Sequence, residues 1–161
     1  MLSDYFSSVR RNHALEHATV SLLLGRLGPN LRLVGRASGD GFFIYGNVPA
    51  DVLTECAQEG LSRLQRGEGY WAVTSLCGTN IATAGVLTAL ASLAVAGRGQ
   101  KGRLGGAIAA AMLAVTASQP LGRLIQQHIT TSPDLEGTEI VSVETRAGGQ
   151  LHKVRTRRQA A

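Results

Sequence analysis

Aromatic side chains are scarce in this chain: three Phe, three Tyr and one Trp among 161 residues. Charge is sparse too, at 17% of residues, where about a quarter is usual for a soluble domain. Only two cysteines occur, Cys56 and Cys77. The first 25 residues carry Asp4, Arg10, Arg11 and Glu16 and lack the leading apolar core of a secretory signal. A structural disulfide is therefore not expected. The 44% of hydrophobic residues falls mainly on Ala, Leu, Val and Ile, and twenty glycines are added to it. Small residues in apolar runs suit closely packed helices.

The net charge of +5 is unevenly placed. Residues 1–79 hold seven Lys/Arg against seven Asp/Glu. The excess sits at Arg98, Lys101 and Arg103, and in the tail at Lys153, Arg155, Arg157 and Arg158. Such clusters serve nucleic acid or anionic lipid headgroups. No aromatic residue interleaves them, so no specific nucleic-acid partner is expected.

Residues 8–27 read as a helix with Leu15, Val20, Leu22, Leu23, Leu24 and Leu27 as its apolar side, ended by Gly28-Pro29-Asn30. Leu31–Arg36 and Gly41–Gly46, joined through Ser38-Gly39-Asp40-Gly41, read as a β-hairpin. Pro49 starts a second amphipathic helix, to about Arg66. Tyr70–Thr74 reads as a short buried strand. Near the C-terminus Thr138–Glu144 and Leu151–Arg155 alternate in polarity around Ala147-Gly148-Gly149. That is a second hairpin, expected to join the first in one sheet.

Between the hairpins the character changes. No charge occurs from Gly69 to Gly97, or again from Leu104 to Gly122. The basic turn at residues 98–103 makes a helical hairpin of the two runs. Each is near the minimum for a bilayer crossing, about 20 residues. A buried hairpin in a soluble core is the alternative; the charge-free length favours a membrane. Gly102/Gly106 and Ala107/Ala111 allow close helix contact. The basic turn pulls toward the cytoplasm. The larger polar flanks, with their basic tail, favour both termini there instead.

The strongest chemical signal is His13-Ala14-Leu15-Glu16-His17. Histidines four apart project from one side of a helix, so both imidazoles reach one ion. The order His-x-x-Glu-His is that of the inverted zincins, in which the Glu acts as general base. A pair of part-exposed histidines beside a salt-bridging Glu is the plain alternative. A third ligand is needed, and Cys77 is the best candidate, ahead of Cys56, His128, His152 and the acids. It precedes a helix that Thr79 or Asn80 would cap, where a thiol is more readily ionised. It would leave a fourth position open, as catalytic zinc sites do. One shared ion asks the donors to lie within about 4 Å of each other.

Other readings are less favoured. Cys77 is also a small residue suited to burial. As a nucleophile with His13 or His17 as base it lacks any cysteine-hydrolase signature. Cys56 reads as core, and His128 and His152 as surface or interfacial residues. Gly39-Asp40-Gly41 lacks the Lys-Ser/Thr ending of a phosphate loop and reads as a turn. Asn12 reads as a helix cap rather than as a partner of the histidines.

Asn12–Val20, Gly39–Gly46 and Cys77-Gly78-Thr79-Asn80 together resemble an uncharacterised bacterial domain family of unknown function, of the 6391 type, over most of the chain. More remotely they are similar to bacterial membrane proteins described as metal-dependent enzymes, which pair His-x-x-Glu-His with a Cys-Gly-Thr element entering a hydrophobic helix. The resemblance implies that His13, Glu16, His17 and Cys77 share one site and that a membrane hairpin follows Cys77. It supplies no reaction. The related pattern has a His three residues before the Cys, and here that position is Thr74.

The expectation is one α+β domain over residues 1–161: a small antiparallel sheet with two amphipathic helices. Residues 80–126 form a membrane-embedded helical hairpin between the two β-hairpin regions. The leading function is a zinc-dependent, membrane-associated hydrolase, a peptidase being one form. His13, His17 and Cys77 would be ligands and Glu16 the base. Its place would be the bacterial inner membrane, with the polar parts cytoplasmic and lipid as a partner. Two alternatives stand beside it. One is a non-enzymatic membrane scaffold or assembly protein with a structural metal. The other is a soluble homo-oligomer that buries the hairpin against a partner.

Overall fold

The computed structural model describes residues 2–96 and 103–159. Arg98, Lys101 and Gly102 of the basic turn lie outside the described residues, as does the side chain of Arg103. The chain divides into two compact units, residues 1–74 with 127–161, and residues 75–126.

The first unit opens with helix α1, Leu2–Leu27. It starts well before residue 8, because nothing in Leu2–Ser7 breaks a helix. At the other end Gly28, with φ 94°, turns its N–H back to the Leu24 carbonyl at 3.0 Å. Strands β1 (Val34–Ser38) and β2 (Gly41–Tyr45) follow, then α2 (Ala50–Gln65) after Pro49. Strands β3 (Thr138–Arg146) and β4 (Leu151–Arg158) complete an antiparallel sheet of order β1-β2-β4-β3. The second hairpin does join the first, with Phe42 opposite Val154 and Ile44 opposite His152. Phe42, Ile44 and Val154 join α1 side chains in one core. Leu15, Leu23, Phe42, Ile44, Leu53 and Val154, all at 0% exposure, form the centre of the core. Burying side chains of this size is the main source of stability, about 1.5–3 kcal/mol each.

Two expectations are corrected here. Residues 69–72 form a 3₁₀ turn, not the start of a strand over Tyr70–Thr74. The Glu68 carboxylate accepts from Tyr70 Oη, Trp71 Nε1, Arg63 and Arg66, which folds the segment onto its own start. His152 is not a surface residue but is fully buried in β4. Its Nε2 lies 3.1 Å from the Gly149 carbonyl and its Nδ1 3.0 Å from Thr145 Oγ1. The carbonyl can only accept, so Nε2 carries the proton and the ring is satisfied while neutral.

The second unit is a helical hairpin. Helix α3 spans Gly78–Ala96 and α4 spans Arg103–Ile125, running on into a π-turn at Gln126–Thr130. The two helices pack on each other. The start of α3 meets the end of α4, where Gln126 Nε2 donates to Asn80 Oδ1 at 2.8 Å. Both helices are long and apolar enough to cross a membrane. The large apolar side chains point outward: Ile81, Leu93, Leu104, Met112 and Leu113 are all more than two-thirds exposed. Ala107 and Ala111 lie on the half-buried stripe, as their spacing predicts.

Candidate metal centre

Arg10, His13 and His17 share one stripe of α1, at i, i+3 and i+7. His17 is buried and His13 is partly exposed. Their ring centroids are 4.3 Å apart. Each ring is held by a backbone carbonyl. His13 Nδ1 lies 2.9 Å from the Thr130 carbonyl, and His17 Nδ1 lies 2.7 Å from the Ala72 carbonyl. Both carbonyls stand at helix ends, Thr130 closing the π-turn and Ala72 closing the 3₁₀ turn. Carbonyls there lack an intrahelical donor and are available to a side chain. Because a carbonyl only accepts, each Nδ1 carries a proton, and it is Nε2 that presents the lone pair whenever the ring is neutral. Arg10 reinforces the segment, donating to the His128 and Thr131 carbonyls at 3.1 Å each.

Glu16 approaches both rings. Its Oε2 is 3.8 Å from His13 Nε2 and 3.9 Å from His17 Nε2. The carboxylate is buried against β1, where a Cβ on Gly35 would overlap Oε1. Glycine at that position makes the room. Two imidazole nitrogens thus approach one carboxylate oxygen.

Cys77 is buried at the N-terminus of α3. Its Sγ accepts the Thr79 N–H at 3.4 Å, so the cysteine itself occupies the capping position expected of Thr79 or Asn80. His13, His17 and Cys77 make up a His/His/Cys group of the kind that could hold a metal ion.

The remaining candidates lie elsewhere. Cys56 is core in α2, where burial pushes its thiol up. No disulfide joins it to Cys77. His128 is exposed. Asp40 occupies the β1–β2 turn, accepting from Lys153 Nζ at 2.7 Å and Arg155 at 2.8 Å. Its hydrogen bond to Lys153, more than its other contacts, holds its carboxyl below the usual range. Asn12 is not a cap. It sits inside α1, donates to the Ser38 carbonyl at 2.8 Å and accepts from Thr156 Oγ1 at 2.6 Å, fixing the helix to the sheet one residue before His13. Sequence reasoning missed the Ala72 and Thr130 carbonyls and Gly35. The carbonyls are backbone atoms with no residue signature. Gly35 leaves a readable one, a lone glycine inside a strand.

The motifs can now be set beside known proteins. No solved structure matches the chain. An uncharacterized protein of Picosynechococcus sp. (strain PCC 7002) is 34% identical over 166 residues, covering 95% of this chain and 81% of its relative. A family model described as a domain of unknown function, DUF6391, matches residues 8–143. That span takes in His13, Glu16, His17, Cys77 and the whole apolar hairpin, and the chain belongs to the DUF6391 family.

Proposed function

We propose that His13, His17 and Cys77 bind a divalent metal of the zinc type, and that the protein is a membrane-associated, metal-dependent hydrolase. The observation that carries this reading is the paired anchoring of the Nδ1 atoms at 2.9 and 2.7 Å on two backbone carbonyls. It fixes both tautomers so that both Nε2 lone pairs are offered as ligands, as outer partners do in metal sites. Two imidazoles and a thiolate suit zinc, which takes mixed nitrogen and sulfur ligands. Bound zinc would supply Lewis acidity. Glu16 is the residue that would take and return a proton, its Oε2 standing equally far from both histidines. Peptide bonds are the substrate class to try first.

Membrane association rests on the hairpin. Its helices are long and apolar enough to cross a bilayer, and their large apolar side chains face outward. Lipid is the partner that satisfies such a surface without another protein. The polar unit would lie on the cytoplasmic side of a bacterial inner membrane.

The test is elemental analysis of the full chain, extracted in detergent without chelator. About one equivalent of zinc is expected, falling below a tenth in His13→Ala/His17→Ala. Metal-free wild-type protein would overturn the metal. Glu16→Gln should keep the zinc and lose hydrolysis of labelled casein. Equal rates in that variant and the wild type would remove the hydrolase and leave the metal as a structural staple.

A further inference from the structure

The apolar hairpin buries polar side chains at one end. Asn80 is 3% exposed and Gln126 0%. Their amides meet directly, Gln126 Nε2 donating to Asn80 Oδ1 at 2.8 Å. The other end of the Asn80 amide reaches back along the chain, Nδ2 donating to the Ser75 carbonyl at 3.1 Å. The Asn80 backbone N–H donates to the Cys77 carbonyl at 3.0 Å. The Ser75–Cys77 loop is therefore gripped at both ends by one residue. Helix α4 is shaped to admit that residue: a Cβ on Gly122 would overlap Asn80 Oδ1.

Helix pairing alone does not require this arrangement. Leucine or alanine at residues 80 and 126 would pack two apolar helices, whereas a buried amide must have its hydrogen bonds met. A buried polar pair fixes one register of two helices. Here the register it fixes sets the loop that carries Cys77. The chain neighbours of Cys77, namely Ser75, Leu76 and Gly78, are exposed, whereas Cys77 itself is buried.

We propose that Asn80, locked by Gln126 and admitted by Gly122, is the positioning residue that presents the Cys77 thiolate for metal binding. This rests on the metal site proposed above. The probe is Co(II) titrated into the full chain in detergent micelles. It reads both affinity and the near-ultraviolet thiolate-to-cobalt charge-transfer band, with Cys77→Ser marking the spectrum that lacks the sulfur. Loss of an outer partner typically weakens metal binding about 10–100-fold. Asn80→Leu is expected to weaken Co(II) by at least about tenfold and to lose most of the band.

Gly122→Ala guards against a folding artefact. It raises the helix propensity of α4 while pushing on Asn80 Oδ1, so helix content should hold or rise while the band falls. Cobalt binding in the wild type with an undiminished band in both variants overturns the role of Asn80 alone. Failure of the wild type to bind cobalt overturns the metal site and this inference with it. If Asn80→Leu does not fold, Gly122→Ala decides.

Discussion

The two units place their large apolar side chains differently, inside in the first and outside in the second. In the unit built from α1, α2 and the sheet, Leu15, Leu23, Phe42, Ile44 and Val154 are inside, and Arg26, Glu55, Arg66 and Arg157 are on the surface. In the hairpin Asn80, Ser118 and Gln126 are buried while Ile81, Leu93, Met112 and Leu113 face out. Water enforces the first arrangement, because apolar surface is driven from it. A bilayer permits the second. Lipid supplies no hydrophobic drive between helices, which then associate through small residues and interhelical hydrogen bonds. The same kind of side chain thus has opposite worth in the two units, and substitution can measure that directly.

The largest effect belongs to the first unit. Phe42→Ala should cost about 3–5 kcal/mol, the usual range for emptying a packed aromatic site, read by denaturant unfolding of the tryptophan signal. Met112→Ala, a comparable truncation on the outer side of α4, should shift the same transition by no more than about 0.5 kcal/mol. Equal effects would break the contrast. Next comes charge on the outer side of the hairpin. Leu113 is 72% exposed near the middle of α4. In water Leu113→Arg would be close to neutral, about ±0.5 kcal/mol. At the centre of a bilayer it costs about 2.5–3.5 kcal/mol on the insertion scale. The variant should disappear from carbonate-washed membranes. Its full retention there, or release of the wild type by carbonate, would remove the spanning hairpin.

A smaller effect sharpens the polar side of the comparison. Asn12→Leu leaves the Thr156 hydroxyl and the Ser38 carbonyl without their partner, at about 1–3 kcal/mol. Because Asn12 adjoins His13, zinc content should fall along with the melting temperature. A stable variant with full zinc would show that the tie between α1 and the sheet does not support the centre.

Much of this was legible in the sequence, for identifiable reasons. Periodicity located α1, α2 and the second β-hairpin, because each buries one side of a regular element; a turn signal located the first β-hairpin, and the charge-free apolar runs located the helical hairpin. The His13/His17 spacing placed the two rings together, since helix geometry alone determines it. Tyr70–Thr74 failed as a strand because Glu68, just before the apolar run, accepts from the Tyr70 hydroxyl and the Trp71 indole and turns the segment back on itself. His152 and Asn12 failed because each is buried by virtue of hydrogen bonds to distant residues, Thr145 and Gly149 in one case and Ser38 and Thr156 in the other. The carbonyls of Ala72 and Thr130 leave no trace in residue identity. Sequence shows which atoms can bind a metal; how their tautomers are set is decided by backbone brought in from elsewhere.

The smallest expected effect separates the units by acidity. The carboxylates of the first unit are held below their ordinary range by cations: Glu59 chiefly by its hydrogen bond to Arg63, Glu68 by Arg66, Glu139 by Arg157, Glu144 by Arg155 and Asp40 by Lys153. Each has a lower pKa folded than unfolded. Its contribution is therefore complete above the unfolded value, near about 4, and is lost as pH falls through the folded one. Most of these pairs are solvent-exposed, so the loss is modest and shrinks further in high salt. The hairpin has no such dependence, because no Asp or Glu occurs between Glu68 and Asp134. All seven aromatic residues precede Ala72, so near-ultraviolet circular dichroism reports the first unit alone. Between pH 5 and pH 3 its melting temperature should drop by a few degrees at low salt, on the usual scale of about 2–8 °C per kcal/mol. Residual far-ultraviolet helicity from α3 and α4 should persist in micelles across the same range. Loss of both signals at one midpoint would mean that the hairpin has no independent stability and that the two units unfold as one.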